Sequence, residues 1–303
     1  MFARAAVAAL SITLAGCASL EFSPDAAAFD DPAAGTEFLA TCEDFDEWDK
    51  PAPPYRVFGN SFYVGTCGIS AILVTGEEGH VLIDSGTDAG ARVVLENIRA
   101  LGFDPRDVRY LLHSHEHFDH VGGHARIAAA TNAIVVASAK AAAVLNSGVP
   151  DPDDPQSGLT SIAPVASVRA IADGSVLKLG GIELTAHLTP GHTPGAMSWT
   201  WTECSPAGTP PVCRRIAYVD SLSPISSEGY RFTDNPETIV AFHTSIERVR
   251  TIPCDILLTP HPSASDMLSR MRKGGLAGHG QCATYAGSIA KRLDARLAEE
   301  AGE

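Results

Sequence analysis

Four metal-ligand side chains fall within six residues, His115-Glu116-His117-Phe118-Asp119-His120, directly after the apolar run Val108 to Leu112. Neutral imidazole suits Zn2+, and one carboxylate adds charge and a harder oxygen without closing the coordination sphere; a structural zinc site would be richer in cysteine. If the chain leaves the strand still extended, side chains at i, i+2 and i+4 share a face. His115, His117 and Asp119 are then expected on one side, with His120 turned toward a second ion. The chain has eleven His among 303 residues, so isolated pairs carry little weight, but the ordered H-x-H-x-D-H pattern does. Hydrolysis is the chemistry such a cluster performs, because a zinc ion with an open position brings the pKa of its water to about 7 without any Ser or Cys nucleophile. By alternation Glu116 should face away from the metals, as a solvent-exposed acid or one placed behind the ligands. His113 reads as a strand residue or a support for the ligands, and His80, His124, His187, His243 and His279 as structural or surface groups.

The elements that must position this cluster are legible in outline. Short alternating runs at Phe62 to Val64, Ile69 to Thr75 and Val81 to Asp84 read as strands separated by Gly-containing turns. A helical pattern between Asp88 and Gly102 precedes the motif strand. Ala128 to Val136 is expected as a strand and Ser138 to Leu145 as a helix, followed by a long loop from Asn146 to Pro164 that forms a wall over the site. The second half repeats this pattern, with strands at Ser175 to Leu179, Ile182 to Leu188, Met197 to Trp201 and Arg215 to Val219, then a helix from Pro236 to Arg250. A strand at Cys254 to Leu258 and an Ala-rich C-terminal helix complete the chain. Strands then helices, twice over, describe an α/β protein with two sheets sandwiched between helices.

Composition bounds the partners and the compartment. The formal charge is −14 with no Lys/Arg run, so no extended nucleic-acid interface is expected. Arg4 and the apolar stretch Ala5 to Ala15 form an export leader too short to span a bilayer. The leader ends in Leu14-Ala15-Gly16-Cys17, which resembles a bacterial lipobox; Cys17 would carry the lipid, and an ordinary cleaved signal peptide is the alternative. Export to the periplasm follows in either case, with Ala18 after the Cys matching outer-membrane sorting. Residues 1–17 are thus read as leader and lipidated Cys, 18–54 as a Pro- and Asp-rich arm with little periodicity that wraps the surface, and 55–303 as one catalytic domain. Six further Cys remain, an even number consistent with disulfides in an exported chain, although six permit fifteen pairings. Proximity favours Cys204 with Cys213 across a turn-rich insert; with Cys254 paired to Cys282, elimination leaves Cys42 with Cys67.

Four ordered motifs together resemble those of the metallo-β-lactamase superfamily, and more narrowly its subclass B3: His115-x-His117-x-Asp119-His120, Thr189-Pro190-Gly191-His192-Thr193-Pro194-Gly195, Tyr218-Val219-Asp220-Ser221-Leu222-Ser223 and Thr259-Pro260-His261-Pro262. The resemblance implies a single-domain, four-layer αββα sandwich binding two Zn2+ per chain. His115, His117 and His192 would hold the first ion, and Asp119, His120 and His261 the second, with Asp119 also serving the nucleophile. The turn residues around His192 and the two prolines around His261 suit imidazoles aimed over a sheet end. Ser221, standing where other subclasses place a metal-binding Cys, and Ser223 would bind the substrate carboxylate; Asp220 is a further acid that can point inward. The implied activity is hydrolysis of the β-lactam amide of penicillins, cephalosporins and carbapenems by a bridging hydroxide. The substrate is a small molecule, the only membrane contact is the lipid anchor, and the chain is a monomer. A lactonase, thioesterase or phosphodiesterase of the same fold is the alternative, and a lipoprotein holding zinc structurally is a non-enzymatic one.

Overall fold

The computed structural model describes residues 32–156, 158, 160–205 and 210–302. The leader, the expected lipidation site Cys17 and the middle of the insert between Cys204 and Cys213 lie outside the described residues. Seven strands, β1 (Tyr55–Phe58), β2 (Ser61–Tyr63), β3 (Ile72–Val74), β4 (His80–Ile83), β5 (Val108–Leu112), β6 (Ile134–Ala137) and β7 (Val168–Ala170), pair in chain order. The first four are antiparallel neighbours, and β4 through β7 run parallel. A second sheet contains β8 (Val176–Leu179), β9 (Ile182–Leu188), β10 (Met197–Ser205), β11 (Val212–Tyr218) and β12 (Ile256–Leu258), in the spatial order β12-β11-β10-β9-β8. Among these described strands only β11 and β12 are parallel.

Eight α-helices are described: α1 (Pro32–Thr41), α2 (Gly90–Ala100), α3 (Phe118–Val121), α4 (His124–Thr131), α5 (Ala139–Ser147), α6 (Pro236–Thr251), α7 (Met267–Arg272) and α8 (Gln281–Gly302). Three separate cores define the four layers. Val94 and Ile98 of α2, Ile127 of α4 and Leu145 of α5 pack with Leu82, Leu111 and Val135 on the outer face of the first sheet. Ile246 and Val249 of α6 and Ile289 and Leu293 of α8 cover Ala217 and Leu257 of the second. Between the sheets, Ile72, Ile83 and Leu112 meet Leu184, Trp199 and Tyr218. Strand β4 shows why its sequence is continuously apolar: Val81 and Ile83 face the inner core while Leu82 faces the helices. Trp199 is wholly buried and its Nε1 donates to His113 O at 2.8 Å, so the largest inter-sheet side chain is hydrogen-bonded to the backbone just before the metal motif. Truncating a side chain of that kind to Ala typically costs about 3–5 kcal/mol.

Three sequence expectations require correction. The arm 18–54 contains helix α1, whose Phe38 is wholly buried with its ring 4.9 Å from Tyr55 and 5.1 Å from Tyr63. The helix is rich in Ala, and Phe38, Leu39 and Cys42 meet the inner core within about one turn, too short a span to show a period. The strand expected from Ala128 begins only at Ile134, because α4 continues to Thr131 and ends at Asn132 in the left-handed conformation (φ 59°). Alanine favours helix, and Asn is a common left-handed cap. The wall loop likewise begins after Ser147, where Gly148 caps α5 at φ 75°.

Candidate metal centre

The parallel arrangement of β4 with β5 and of β11 with β12 brings four carboxyl-terminal strand ends to one edge of the sandwich, where α/β sheets present ligand sites. Asp84 follows β4, His115 to His120 follow β5, Asp220 to Ser223 follow β11 and His261 follows β12. His192 arrives from the turn between β9 and β10, which Thr189 N closes on Ala196 O at 2.9 Å. Gly191 adopts φ +147°, and a Cβ there would sit 2.8 Å from the Phe242 ring, so the turn that carries His192 requires glycine.

The six expected ligands converge on two adjacent positions. Ligand atoms of His115, His117 and His192 lie within 4.8 Å of one another, and all three residues are buried. Asp119 Oδ2, His120 Nε2 and His261 Nε2 form the second group: 3.0 Å from Asp119 to His120, 3.4 Å from Asp119 to His261 and 3.2 Å between the imidazoles. Donors about 2.0–2.1 Å from a tetrahedral zinc are about 3.3 Å apart, so this spacing fits that ion without rearrangement. The groups adjoin, since ligand atoms of His115, Asp119 and His120 also fall within 4.8 Å of one another.

The extended register expected for the motif ends at His117. His117 is extended (φ −74°, ψ 151°) and caps α3, its carbonyl accepting from His120 N and Val121 N. Asp119 therefore points from a helical turn, which separates it from the three-His group and pairs it with His120. Glu116 is buried, not solvent-exposed: Oε2 accepts from Thr193 Oγ1 at 2.7 Å and Oε1 from Gly195 N at 2.7 Å. It latches the first motif to the His192 turn. Gly195 has no room for a side chain, because a Cβ would meet Ala141 N at 2.5 Å and Glu116 Oε1 at 2.7 Å.

A ring of oxygens supports the non-ligating nitrogens. Asp220 Oδ1 lies 2.9 Å from His115 Nδ1, leaving the buried Nε2 of His115 without a hydrogen-bond partner. The His192 Nδ1 contact with Ser223 O is 2.9 Å, and His117 Nε2 lies 2.9 Å from Asp154 Oδ2. Asp84 Oδ2 is 3.8 Å from His120 Nδ1 and accepts from Ser114 Oγ at 2.7 Å and Tyr218 OH at 2.6 Å. Carboxylates and carbonyls behind imidazoles fix ring orientation and tautomer in zinc proteins. Burial, reinforced by neighbouring imidazoles, holds His115 and His192 well below the ordinary histidine value, in the neutral form that ligates. For Asp119, burial disfavours charge, but His120 and His261 outweigh it and hold the carboxyl well below its ordinary value. Burial pushes Asp220 up to about 8.

Ser221 is buried and its Oγ has no hydrogen-bond partner among the described residues, where Ser223 Oγ makes a 3.5 Å contact with Ser221 O. Trp48, partly exposed, stands at the rim with its ring 5.7 Å from Phe118 and 6.0 Å from His261. Of the remaining histidines, His113 accepts from Ser138 N at 3.2 Å and buried His124 contacts Ser85 Oγ at 2.8 Å, both supporting the backbone near the site. Sequence reasoning does not single out Asp84, Asp154 or Trp48. Asp84 carries the stronger signal, an acid at a strand end before Ser85-Gly86; nothing in type distinguishes Asp154 from Asp151 or Asp153. Sulfur pairs Cys42–Cys67, Cys204–Cys213 and Cys254–Cys282 lie at bonding distance (1.95, 2.00 and 2.01 Å).

Residues 64–205 match the model of the metallo-beta-lactamase superfamily. The solved structure of MIM-2 metallo-beta-lactamase is 49% identical, with a TM-score of 0.83 over 88% of this chain and 98% of that one. MIM-1 from Novosphingobium pentaromativorans is 48% identical (TM-score 0.84, 88% and 98%). MEM-A1, a subclass B3 metallo-beta-lactamase from a soil metagenome library, is 38% identical (TM-score 0.81, 84% and 99%). An N-acyl homoserine lactonase, AttM of Rhizobium johnstonii, is 32% identical over 84 residues, which span only 32% of its length. With its ligands in this order on an αββα sandwich and near-complete coverage of such relatives, the chain belongs to the metallo-β-lactamases, among relatives of subclass B3.

Proposed function

We propose that this protein is an exported, dizinc β-lactamase that opens the lactam amide of penicillins, cephalosporins and carbapenems and so confers antibiotic resistance. The observation that carries the reading is the pair of adjoining ligand groups: the buried Nε2 of His115 is unpartnered among the described residues, and oxygens lie 2.9 Å from the outer nitrogens of His115, His117 and His192. Zinc bound there supplies a Lewis acid for the lactam carbonyl and acidifies a water to about pKa 7. The chain's own residues do the rest. Asp119, ionised through His120 and His261, orients the attacking water and accepts its proton at the carboxylate. Asp220 and the Ser223 carbonyl hold His115 and His192 in fixed orientations, so no reorganisation is needed during the reaction. No base touches Ser221 Oγ, so a serine acyl-enzyme route has no activated nucleophile there. Both serines are buried, Ser221 at 2% and Ser223 at 8% exposure, and the less enclosed Ser223 is the direct donor to the substrate carboxylate. Trp48 and Phe118 offer an apolar rim for the substrate's side chain.

The leader and the Cys17 lipobox support a periplasmic, outer-membrane-anchored monomer with its six remaining Cys oxidised. The decisive experiment measures zinc content together with hydrolysis of a penicillin, a cephalosporin and a carbapenem, with and without chelator, and includes an acyl homoserine lactone. Two zinc ions and chelator-sensitive lactam hydrolysis are expected. A zinc-loaded protein that opens the lactone but no lactam would replace this reading with a lactonase.

A further inference from the structure

Among its described residues, the connection after α5 contacts a metal-ligand candidate through one side chain. Asp154 is buried, with Oδ2 2.9 Å from His117 Nε2, and its other oxygen accepts from Gln156 N at 2.7 Å. Its own N–H donates to Asp151 O at 3.1 Å, and Asp151 Oδ1 accepts from Asp153 N at 2.9 Å, so the carboxylate sits on a locally hydrogen-bonded turn. On its far side Pro155 O accepts from Ser227 N at 2.9 Å. The segment 149–156 is thus tied to the site edge at two points, and only Asp154 reaches a metal ligand.

Imidazole chemistry gives this contact a specific consequence. A neutral imidazole carries one proton, so a ring that donates Nε2–H to Asp154 must present the lone pair of Nδ1. Nδ1 is the remaining donor atom of His117, whose ring lies 4.8 Å from His115 and 4.9 Å from His192. His115 and His192 do the reverse, with Nδ1 against an oxygen, so His117 alone in its group must ligate through Nδ1. We propose that Asp154 is a positioning residue that selects the Nδ1-ligating form of His117, and that it thereby couples zinc at the three-His position to the ordering of residues 149–156. Coupling of this kind is reciprocal: zinc that fixes the His117 ring strengthens the Asp154 contact, and an ordered segment strengthens zinc binding. The inference rests on the reading that zinc occupies the three-His position, not on the identity of the substrate.

The test uses the full-length protein with zinc alone as probe. Competition against a chromophoric chelator should show Asp154→Ala weakening one zinc by about 10–100-fold, the usual effect of removing an acid behind a ligand. Asp154→Asn can still accept from Nε2–H and should recover most of that loss, which separates tautomer selection from a general need for charge. Hydrogen exchange supplies the second readout. Zinc loading should slow exchange in peptides covering 149–156 in the wild type but not in Asp154→Ala, while peptides covering 189–195 slow in both. Unchanged zinc affinity in Asp154→Ala, or exchange at 149–156 indifferent to zinc in the wild type, would overturn the proposal. Absence of lactam hydrolysis by a protein that shows this coupling would overturn the proposed function instead.

Discussion

Glu116 offers the sharpest test of how the centre is assembled, because removing its charge and removing its hydrogen bonds have opposite expected consequences. In Glu116→Ala, Thr193 can rotate its hydroxyl to another acceptor, but the buried Gly195 N–H loses the partner 2.7 Å away. An unsatisfied buried donor costs about 1–3 kcal/mol, and losing a charge-assisted bond to Thr193 adds about 1 kcal/mol or more. Against this stands relief from burying a carboxylate whose pKa burial already raises. The net loss should be about 2–3 kcal/mol, equivalent to a fall in Tm of about 4–10 °C for a domain of this class. Zinc at the three-His position should weaken in parallel, because the His192 turn loses its tie to the first motif. Glu116→Gln is predicted to behave differently: its carbonyl can accept from Gly195 N while its NH2 donates to Thr193 Oγ1, preserving both contacts with the loss of charge assistance alone. Thermal unfolding, zinc stoichiometry and kcat/KM on a carbapenem, measured for both variants, decide the matter. If Glu116→Gln lost as much kcat/KM as Glu116→Ala at unchanged Tm, Glu116 would be acting through its charge or its proton, and the latch argument would be wrong.

Ser223→Ala should lower kcat/KM by about tenfold, mainly through KM, since one hydrogen bond to a carboxylate contributes about 1–2 kcal/mol; steady-state kinetics in which kcat alone falls would contradict this. Glu300 accepts from Phe232 N, Thr233 N and Arg296 Nε, and although burial opposes its charge, these contacts hold its pKa down at about 2. Its stabilising contribution is therefore present above its ordinary value of about 4.5 and lost as pH falls toward 2. The stability difference between wild type and Glu300→Gln, about 2 kcal/mol near neutrality, should shrink between pH 5 and 3 in denaturant melts, and a pH-independent difference would count against it. Reduction should lower Tm, with the loops closed by Cys42–Cys67 and Cys254–Cys282 contributing about 3.5 kcal/mol each and Cys204–Cys213 about 2.7 in the loop-entropy picture; single Cys-pair Ser variants that reversed this order would show that strain or residual structure dominates.

The parts of the site that are legible in the sequence are those whose chemistry is local. A ligand must be a His or a carboxylate, and ligands that share a strand end or a tight turn must sit close in sequence, so His115 to His120, His192 and His261 announce themselves. The sheets are legible for a similar reason, because Val81 to Ile83 of β4 and Leu111 to Leu112 of β5 are buried apolar runs that end at polar residues. What escapes depends on contacts between distant segments. Phe38 and Cys42 are buried within one turn at α1, too short a span to show a period, and Phe38 is enclosed by Tyr55 and Tyr63. Glu116 points outward by alternation, correctly so relative to the metals, yet outward from the metals is inward against the His192 turn.

That last point generalises to the acids behind the ligands. Asp84, Asp154, Asp220 and Glu116 are all buried, and each faces a ligand or a turn that carries one. An isolated buried carboxylate is costly, and a domain of this size gains no stability by collecting four of them around imidazoles. Their cost is tolerable only if positive charge is present at the centre, since a bound metal cation inverts the local preference and makes nearby carboxylates favourable. Burial pushes Asp84 up to about 6 and Asp220 up to about 8, the direction expected of carboxyls enclosed without a cation beside them. Burial and neighbouring imidazoles keep His115 and His192 neutral, and the oxygens 2.9 Å from the outer nitrogens of His115, His117 and His192 leave the inner lone pairs for the ion. Metal affinity, ligand orientation and the ionisation of the supporting acids are therefore one coupled property of the fold, and substitution of any single supporting acid should appear first in zinc affinity and only then in turnover.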